Sequence, residues 1–187
     1  MTPLNINLPR HKIAHNFSQW AALSALKSGS PLKSREDIYP FVELGHFEVL
    51  LTSDEPISQS EFNEWHTGAV GFITSDNRLP IGWAAKIINV YLKSICYMAG
   101  IGRPNLVNHI HPPIDSGLWQ GLKRSYRSQV EIWNKVYSKT KIKDIQTYEQ
   151  YSTIIDGLSE IAKLEGCLLI EVEKFWEGTS YRKANGS

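Results

Sequence analysis

Cysteine is scarce in this chain: Cys96 and Cys167 are the only two in 187 residues. Neither lies in a CxxC or Cys/His spacing, which excludes a disulfide framework and a structural zinc and leaves two buried free thiols as the expectation. An excess of one charge is also missing. Twenty basic residues against nineteen acidic ones leave a formal net charge of +1, so nucleic acid is not held by bulk charge, and any contact with it must be a local patch. No eighteen consecutive apolar residues occur, and MTPLNINLPRHKIAH has no apolar run fit for a signal peptide. A soluble, cytoplasmic monomer with no membrane partner is therefore expected. The sequence has no GxxxxGK[ST] and no GxSxG, and GIGRPNL lacks the spacing of a dinucleotide loop. His66, His109 and His111 offer an HxH in a proline-rich loop without a matching carboxylate motif, too little for a metal. No cofactor is expected.

What the chain does have is helical periodicity. Convincing alternating strands, internal repeats and low-complexity blocks are absent, which gives an all-α fold in one domain spanning residues 1–187. Residues 1–15, with Pro3 and Pro9, read as an extended arm, and a first helix around Phe17, Trp20 and Leu26 should stop near Gly29, Ser30 and Pro31. Residues 38–51 read as a short helix or an irregular core segment. Ser58 or Ser60 caps a helix whose apolar side is Phe62, Trp65, Ala69 and Phe72. In it, Gly68 and Gly71 each cost roughly 1 kcal/mol relative to alanine, as if to permit close packing or a bend. One helix from Asp115 or Ser116 through Trp133, a polar connector KTKIKDIQ, one or two helices over residues 148–175 with a break at Gly166, and a frayed tail at 178–187 complete the reading.

The chain is organised around residues 79–115, LPIGWAAKIINVYLKSICYMAGIGRPNLVNHIHPPID. Ala84, Ile87, Ile88, Tyr91, Leu92 and Ile95 recur at helical spacing, so this helix packs on a core, and Gly100 should end it. Lys86, Asn89 and Lys93 share a face of the same helix, the two lysines roughly 10.5 Å of rise apart. A solvated stripe is the plain reading of that face. Asp115 follows the proline-stiffened approach Pro112–Pro113–Ile114 and suits the start of the next helix.

These residues resemble the helix-hairpin-helix DNA glycosylases, which set a nucleophilic lysine on a core helix and an aspartate at the head of the next. Lys86 and Asp115 match that pair. The pattern is most similar to the archaeal oxoguanine glycosylases, through Lys93 and Tyr97 after Lys86 and Pro113–Ile114 before Asp115. Small bacterial glycosylases acting on modified phage DNA are a second relative. The hairpin of the family carries two glycines, of which only Gly82 stands before Lys86 here. The resemblance implies a two-lobed helical fold, DNA with a modified base as partner, and excision of that base in repair or anti-phage defence.

Such an enzyme flips its nucleotide out of the stack and needs three things. Lys86, activated by burial beside Lys93, would attack or stabilise the sugar. Asp115 would take the lysine's proton and balance developing positive charge. Trp65, Trp83, Asn89 and His111, with Lys93, would grip the base, while Arg78, Arg103, Lys123 and Arg124 would contact phosphates. The rival expectation is a non-catalytic helical DNA-binding or protein-interaction module in which Lys86 and Asp115 form a buried ion pair.

Overall fold

A computed structural model describes residues 1–26, 29–136 and 141–177. Among them the fold is all-α: eight α-helices joined by short 3₁₀ segments, with no strand. The frayed tail expected at 178–187 and the start of the polar connector lie outside the described residues. No helix described is long and apolar enough to cross a membrane.

The first helix, α1 (Pro9–Ser24), begins at Pro9, inside the arm expected over residues 1–15, and the arm is correspondingly shorter. Proline at the first helical position explains the difference: its missing N–H has no intrahelical partner there anyway, and its fixed φ suits the helix. The arm is tied down by Thr2, whose N–H donates to Gly100 O and whose carbonyl accepts from Gly102 N–H, and by Leu4 N–H on Leu51 O.

Residues 38–51, ambiguous in sequence, resolve into short pieces. These are α2 (Arg35–Ile38), the 3₁₀ turn Tyr39–Val42 and α3 (Leu44–Leu51). Next, α4 (Gln59–Thr74) starts as expected at Ser58, where Ser58 and Glu61 form a reciprocal capping box. Gly68 and Gly71 do not serve close packing, because a Cβ added at either would meet nothing within 4 Å.

The centre of the fold is α5 (Ile81–Leu92), in which ten of twelve residues are buried and Lys86 is one of the two that are not. It is packed by α1, by α4, and by α8 (Tyr148–Glu165). It runs on into a π-helical segment, Lys93–Met98, and ends at Gly100 with φ of 71°.

The single helix expected after Asp115 is two, α6 (Ser116–Tyr126) and α7 (Val130–Val136). No glycine or proline marks the break at Arg127, Ser128 and Gln129, so helical periodicity ran across it. The part of the connector that is described is no mere linker: Ile145 is buried, and the 3₁₀ turn Ile142–Asp144 packs on α5. After α8 and its left-handed cap at Gly166 comes the 3₁₀ segment Leu169–Phe175. The helices before and after α5 share one continuous apolar core from Leu4 to Val172.

Two glycines fix how the chain closes around α5. A Cβ at Gly82 would lie 2.2 Å from Ile142 O, and one at Gly121 of α6 would lie 1.6 Å from Phe175 O. Both neighbours are backbone and cannot step aside as a flexible side chain would. Gly82→Ala should therefore cost at least 1–3 kcal/mol, roughly the range for overpacking, measured as a lower urea midpoint. Gly68→Ala, opening on free space, should be neutral or slightly stabilising.

Candidate functional site

The site forms where α5, the head of α6 and the segment after α8 meet. Lys86 Nζ lies 3.5 Å from Asp115 Oδ2, with side-chain exposures of 12% and 22%. Asp115 is held there by its sequence position. It is the N-cap of α6, and its Oδ1 accepts from Gly117 N–H at 2.9 Å and Leu118 N–H at 3.0 Å, satisfying amides that the helix leaves unpaired. A third donor, Trp176 Nε1–H, reaches the same oxygen at 2.9 Å. Oδ1 is thus fully engaged, and Oδ2 is the oxygen turned to the lysine. One turn back along α5, Lys86 Nζ lies 5.4 Å from the ring centroid of Trp83, within cation–π range. The buried indole N–H of Trp83 has no hydrogen-bond partner, the kind of unsatisfied group that calls for a functional or structural explanation.

A second charge pair adjoins the first. Lys93 Nζ donates to Glu173 Oε1 at 2.7 Å, and both side chains are largely buried. Burial raises the Glu173 carboxyl above its ordinary value. Lys93 opposes that, Asp115 adds to it and Lys86 works against it, so Glu173 feels all three of the other charged groups. Glu173 and Trp176 escaped the sequence reading because they come from the 3₁₀ segment and the residue after it, about sixty residues beyond Asp115. The only local hint was a pair of acids, Glu171 and Glu173, interrupting an apolar run; Glu171 accepts from Tyr97 O–H at 2.9 Å.

Behind Lys86 the polar face of α5 continues into a buried network. Asn89, with no exposed surface, accepts from His66 Nε2–H at 3.1 Å and donates through Nδ2 to Tyr151 Oη at 2.9 Å and Pro112 O at 3.3 Å. Tyr148 Oη–H serves His66 Nδ1, and Tyr151 Oη–H serves His111 Nδ1, both at 2.9 Å. This reassigns Asn89 and His111. Asn89 is buried with both polar atoms occupied, and His111 is buried and tied to Tyr151 through Nδ1, so both act as framework of the core. His66 joins them, while His109 bonds Gln59 and Ile57 O. No group of three or more His, Cys, Asp or Glu that could hold a metal occurs among the described residues.

No family model, curated protein or solved structure matches the chain. Its chemistry has to be read from its own side chains.

Trp65 does not reach the Lys86 site. It donates Nε1–H to His46 O and borders a cavity of about 300 Å³ with Phe41, Phe47, Phe72 and Ile88. Ile88 lies two residues beyond Lys86, about 200° around the helix, so the cavity is on the opposite side of α5. Arg103 is likewise withdrawn from any DNA patch. It is 8% exposed, donates to Glu55 O and Pro56 O, and pairs with Glu61. Gly82 grips no phosphate, since its N–H donates to Ile145 O. The exposed members of the expected basic set are Arg78, paired with Asp37 and Asp76, Lys123, and Arg124, paired with Glu177.

The buried histidines set a pH dependence. Desolvation lowers His66 from 6.5 to about 4, and His111 goes well below its ordinary value through burial and the neighbouring His66. Both values are lower in the folded chain than in the unfolded one. The stability they contribute is whole above about pH 6.5 and drains as pH falls toward 4, by on the order of 3 kcal/mol for His66. Urea unfolding across this window should show the decline, and His66→Gln, less stable at neutral pH, should show a shallower one. Stability that is flat from pH 7 to 4.5 would contradict the neutral, buried assignment.

Proposed function

We propose that the chain is a DNA N-glycosylase whose catalytic pair is Lys86 and Asp115. The observation that carries this reading is the approach of Lys86 Nζ to Asp115 Oδ2 at 3.5 Å, at a half-closed site in a helical fold. The two residues come from separate elements, and the pairing is the one the glycosylase resemblance requires. The four-charge cluster around them supplies what base excision needs. Asp115 Oδ2 accepts the proton that Lys86 must lose to become a nucleophile. The free amine attacks C1′, the N-glycosidic bond breaks, and its electron pair leaves with the base, which takes up one proton. Glu173 is the second carboxylate of the cluster, paired with Lys93, and adds negative charge beside the developing positive charge on the sugar. The C1′–O4′ bond of the resulting glycosylamine then opens, O4′ taking up the proton that the attacking amine sheds, and the sugar is left on Lys86 as a Schiff base, which water releases or which leads on to strand cleavage. Trp176, hydrogen-bonded to Asp115, is the exposed aromatic beside the pair, past which a flipped nucleotide would reach Lys86, while Trp83 is buried behind the lysine. DNA contact falls to the exposed cations Arg78, Lys123 and Arg124, of which Arg78 and Arg124 would exchange carboxylate partners for phosphates. The setting is intracellular, in base-excision repair or in defence against modified phage DNA.

One observation favours a second reading, a helical binding module without catalysis. Every charge in the cluster already has a partner, and Asp115 has a complete structural task as a helix cap.

Excision of bases from a panel of modified DNA duplexes separates the two. The glycosylase reading expects alkali-labile sites and a borohydride-trapped covalent complex with one of them. Lys86→Gln should abolish trapping, and Asp115→Asn, which keeps the cap oxygen but loses the negative charge, should slow excision by about 10²–10⁴-fold. Excision that survives in both variants would remove the pair from the mechanism. A folded protein that excises none of the panel would favour the binding module.

A further inference from the structure

The charges of this nearly neutral chain are unevenly spread. Residues 36–77 hold nine of its nineteen acids and none of its twenty Lys and Arg. The fold gathers that stretch into α2, the 3₁₀ turn Tyr39–Val42, α3 and α4, and its side chains line the cavity of about 300 Å³ that lies on the far side of α5 from Lys86. The walls are aromatic: Phe41, Phe47, Trp65 and Phe72, with the imidazole of His46. Their rings meet at angles and leave a space between them. Phe41 stands edge-on to Phe72 at 6.5 Å and 84°, and Phe47 is tilted by 52° to Trp65 at 5.7 Å. Phe72 is 52% exposed, so one wall faces solvent. Gly68 completes the lining, and a Cβ there would meet nothing within 4 Å. A glycine inside a helix weakens it relative to alanine, and here no close packing compensates; what the missing side chain leaves open is the cavity.

An organic cation suits these walls. The face of an aromatic ring is negative and attracts an ammonium that lies within about 6 Å of its centroid, Trp most strongly, and rings set at angles around one space are how quaternary ammonium groups are recognised. The charges at the rim have the matching sign. Glu43 stands at the N-cap of α3, one turn before His46 and Phe47, and Glu64 lies one turn before Gly68 and two before Phe72 on α4. Both are exposed, and neither makes an ion pair among the described residues. The cations that the fold does bring to this stretch are already engaged, Arg78 by Asp37 and Asp76 and Arg103 by Glu61, and no Lys or Arg lines the cavity. Its volume is at the lower end of the range for ligand pockets, about 300–1,000 Å³, which fits a small head group. A field of this sign repels phosphate, so the cavity lies outside any DNA-facing surface, and what it binds does not depend on the chemistry of Lys86.

We infer that the aromatic cavity between α3 and α4 binds a methylated ammonium group, carried either by a free small molecule or by a methylated lysine side chain. Calorimetric titration of the whole chain tests it with three probes: choline, its uncharged analogue in which carbon replaces the nitrogen, and a short peptide bearing trimethyllysine. Choline should bind at least about tenfold more tightly than the carbon analogue, because the two share a shape and differ in charge. Trp65→Leu, which keeps an apolar wall and removes its strongest aromatic face, should weaken choline by about tenfold. Gly68→Leu, which grows a side chain into the cavity and replaces glycine with a better helix former, should abolish binding without lowering the urea midpoint. Glu43→Gln combined with Glu64→Gln should weaken choline and flatten the dependence of its affinity on salt. Tighter binding of the peptide than of choline supports the inference and assigns the cation to a protein chain; tighter binding of choline supports it and assigns the cation to a small molecule. Equal affinity for choline and the carbon analogue overturns it, as does choline binding that survives Gly68→Leu or a wild type that binds neither ammonium.

Discussion

The hydrogen bond from Asn89 Nδ2 to the carbonyl of Pro112, at 3.3 Å in the middle of the core, joins the two halves of the site. Asn89 sits three residues after Lys86 on α5, and Pro112 three before Asp115 on the approach to α6. Fixing one to the other sets the lysine and the aspartate in register. A buried amide left unsatisfied would cost about 1–3 kcal/mol, so Asn89 also draws in His66 from α4 and Tyr151 from α8. Through Tyr151 it reaches His111 on the same loop. Four elements are thereby locked around one side chain. Neutral histidines are a condition of this arrangement, which links the integrity of the site to pH.

Burial of α5 on nearly all sides has a second consequence for Lys86 and for Lys93 just beyond its end. Taking ammonium groups out of water is costly unless carboxylates follow them. Lys86 finds Asp115 and Lys93 finds Glu173, the latter because α8 and its cap at Gly166 return the chain to α5. The π-helical turn beginning at Lys93 adds a residue to the local repeat, a feature common at functional sites. Gly121 lets the Phe175 backbone lie against α6, which brings Trp176 onto Asp115. The resulting cluster has two cations, two anions and two indoles in a half-closed setting.

Much of the local structure was legible in the sequence. Ser58 before an acid three residues on, and glycines at 100 and 166, mark helix ends by rules that need only near neighbours. The meeting of Lys86 and Asp115 was not legible in the spacing, which read as a solvated stripe, and was expected only through the glycosylase resemblance. What stayed hidden depended on distant partners. Nothing near Asn89 or His111 distinguishes a side chain that contacts a ligand from one that supports the core, since either is a polar residue in an apolar setting. Arg103 looked like a phosphate contact because the carbonyls of Glu55 and Pro56 that consume it lie nearly fifty residues away. Trp65 was misassigned because sequence proximity does not say which side of α5 a neighbour packs on. Glu173 and Trp176 were invisible for the same reason in reverse.

Asp115 keeps three donors on Oδ1 whether or not Lys86 is present, so the ion pair is not needed to satisfy it. If the pair exists for chemistry, Lys86→Met should change unfolding stability by less than about 1 kcal/mol while eliminating base excision. Measuring both quantities on that single variant tests the account most directly. A loss of about 3–5 kcal/mol, the cost of orphaning a buried charge, together with excision at the wild-type rate, would make the pair a structural strut and contradict its catalytic assignment.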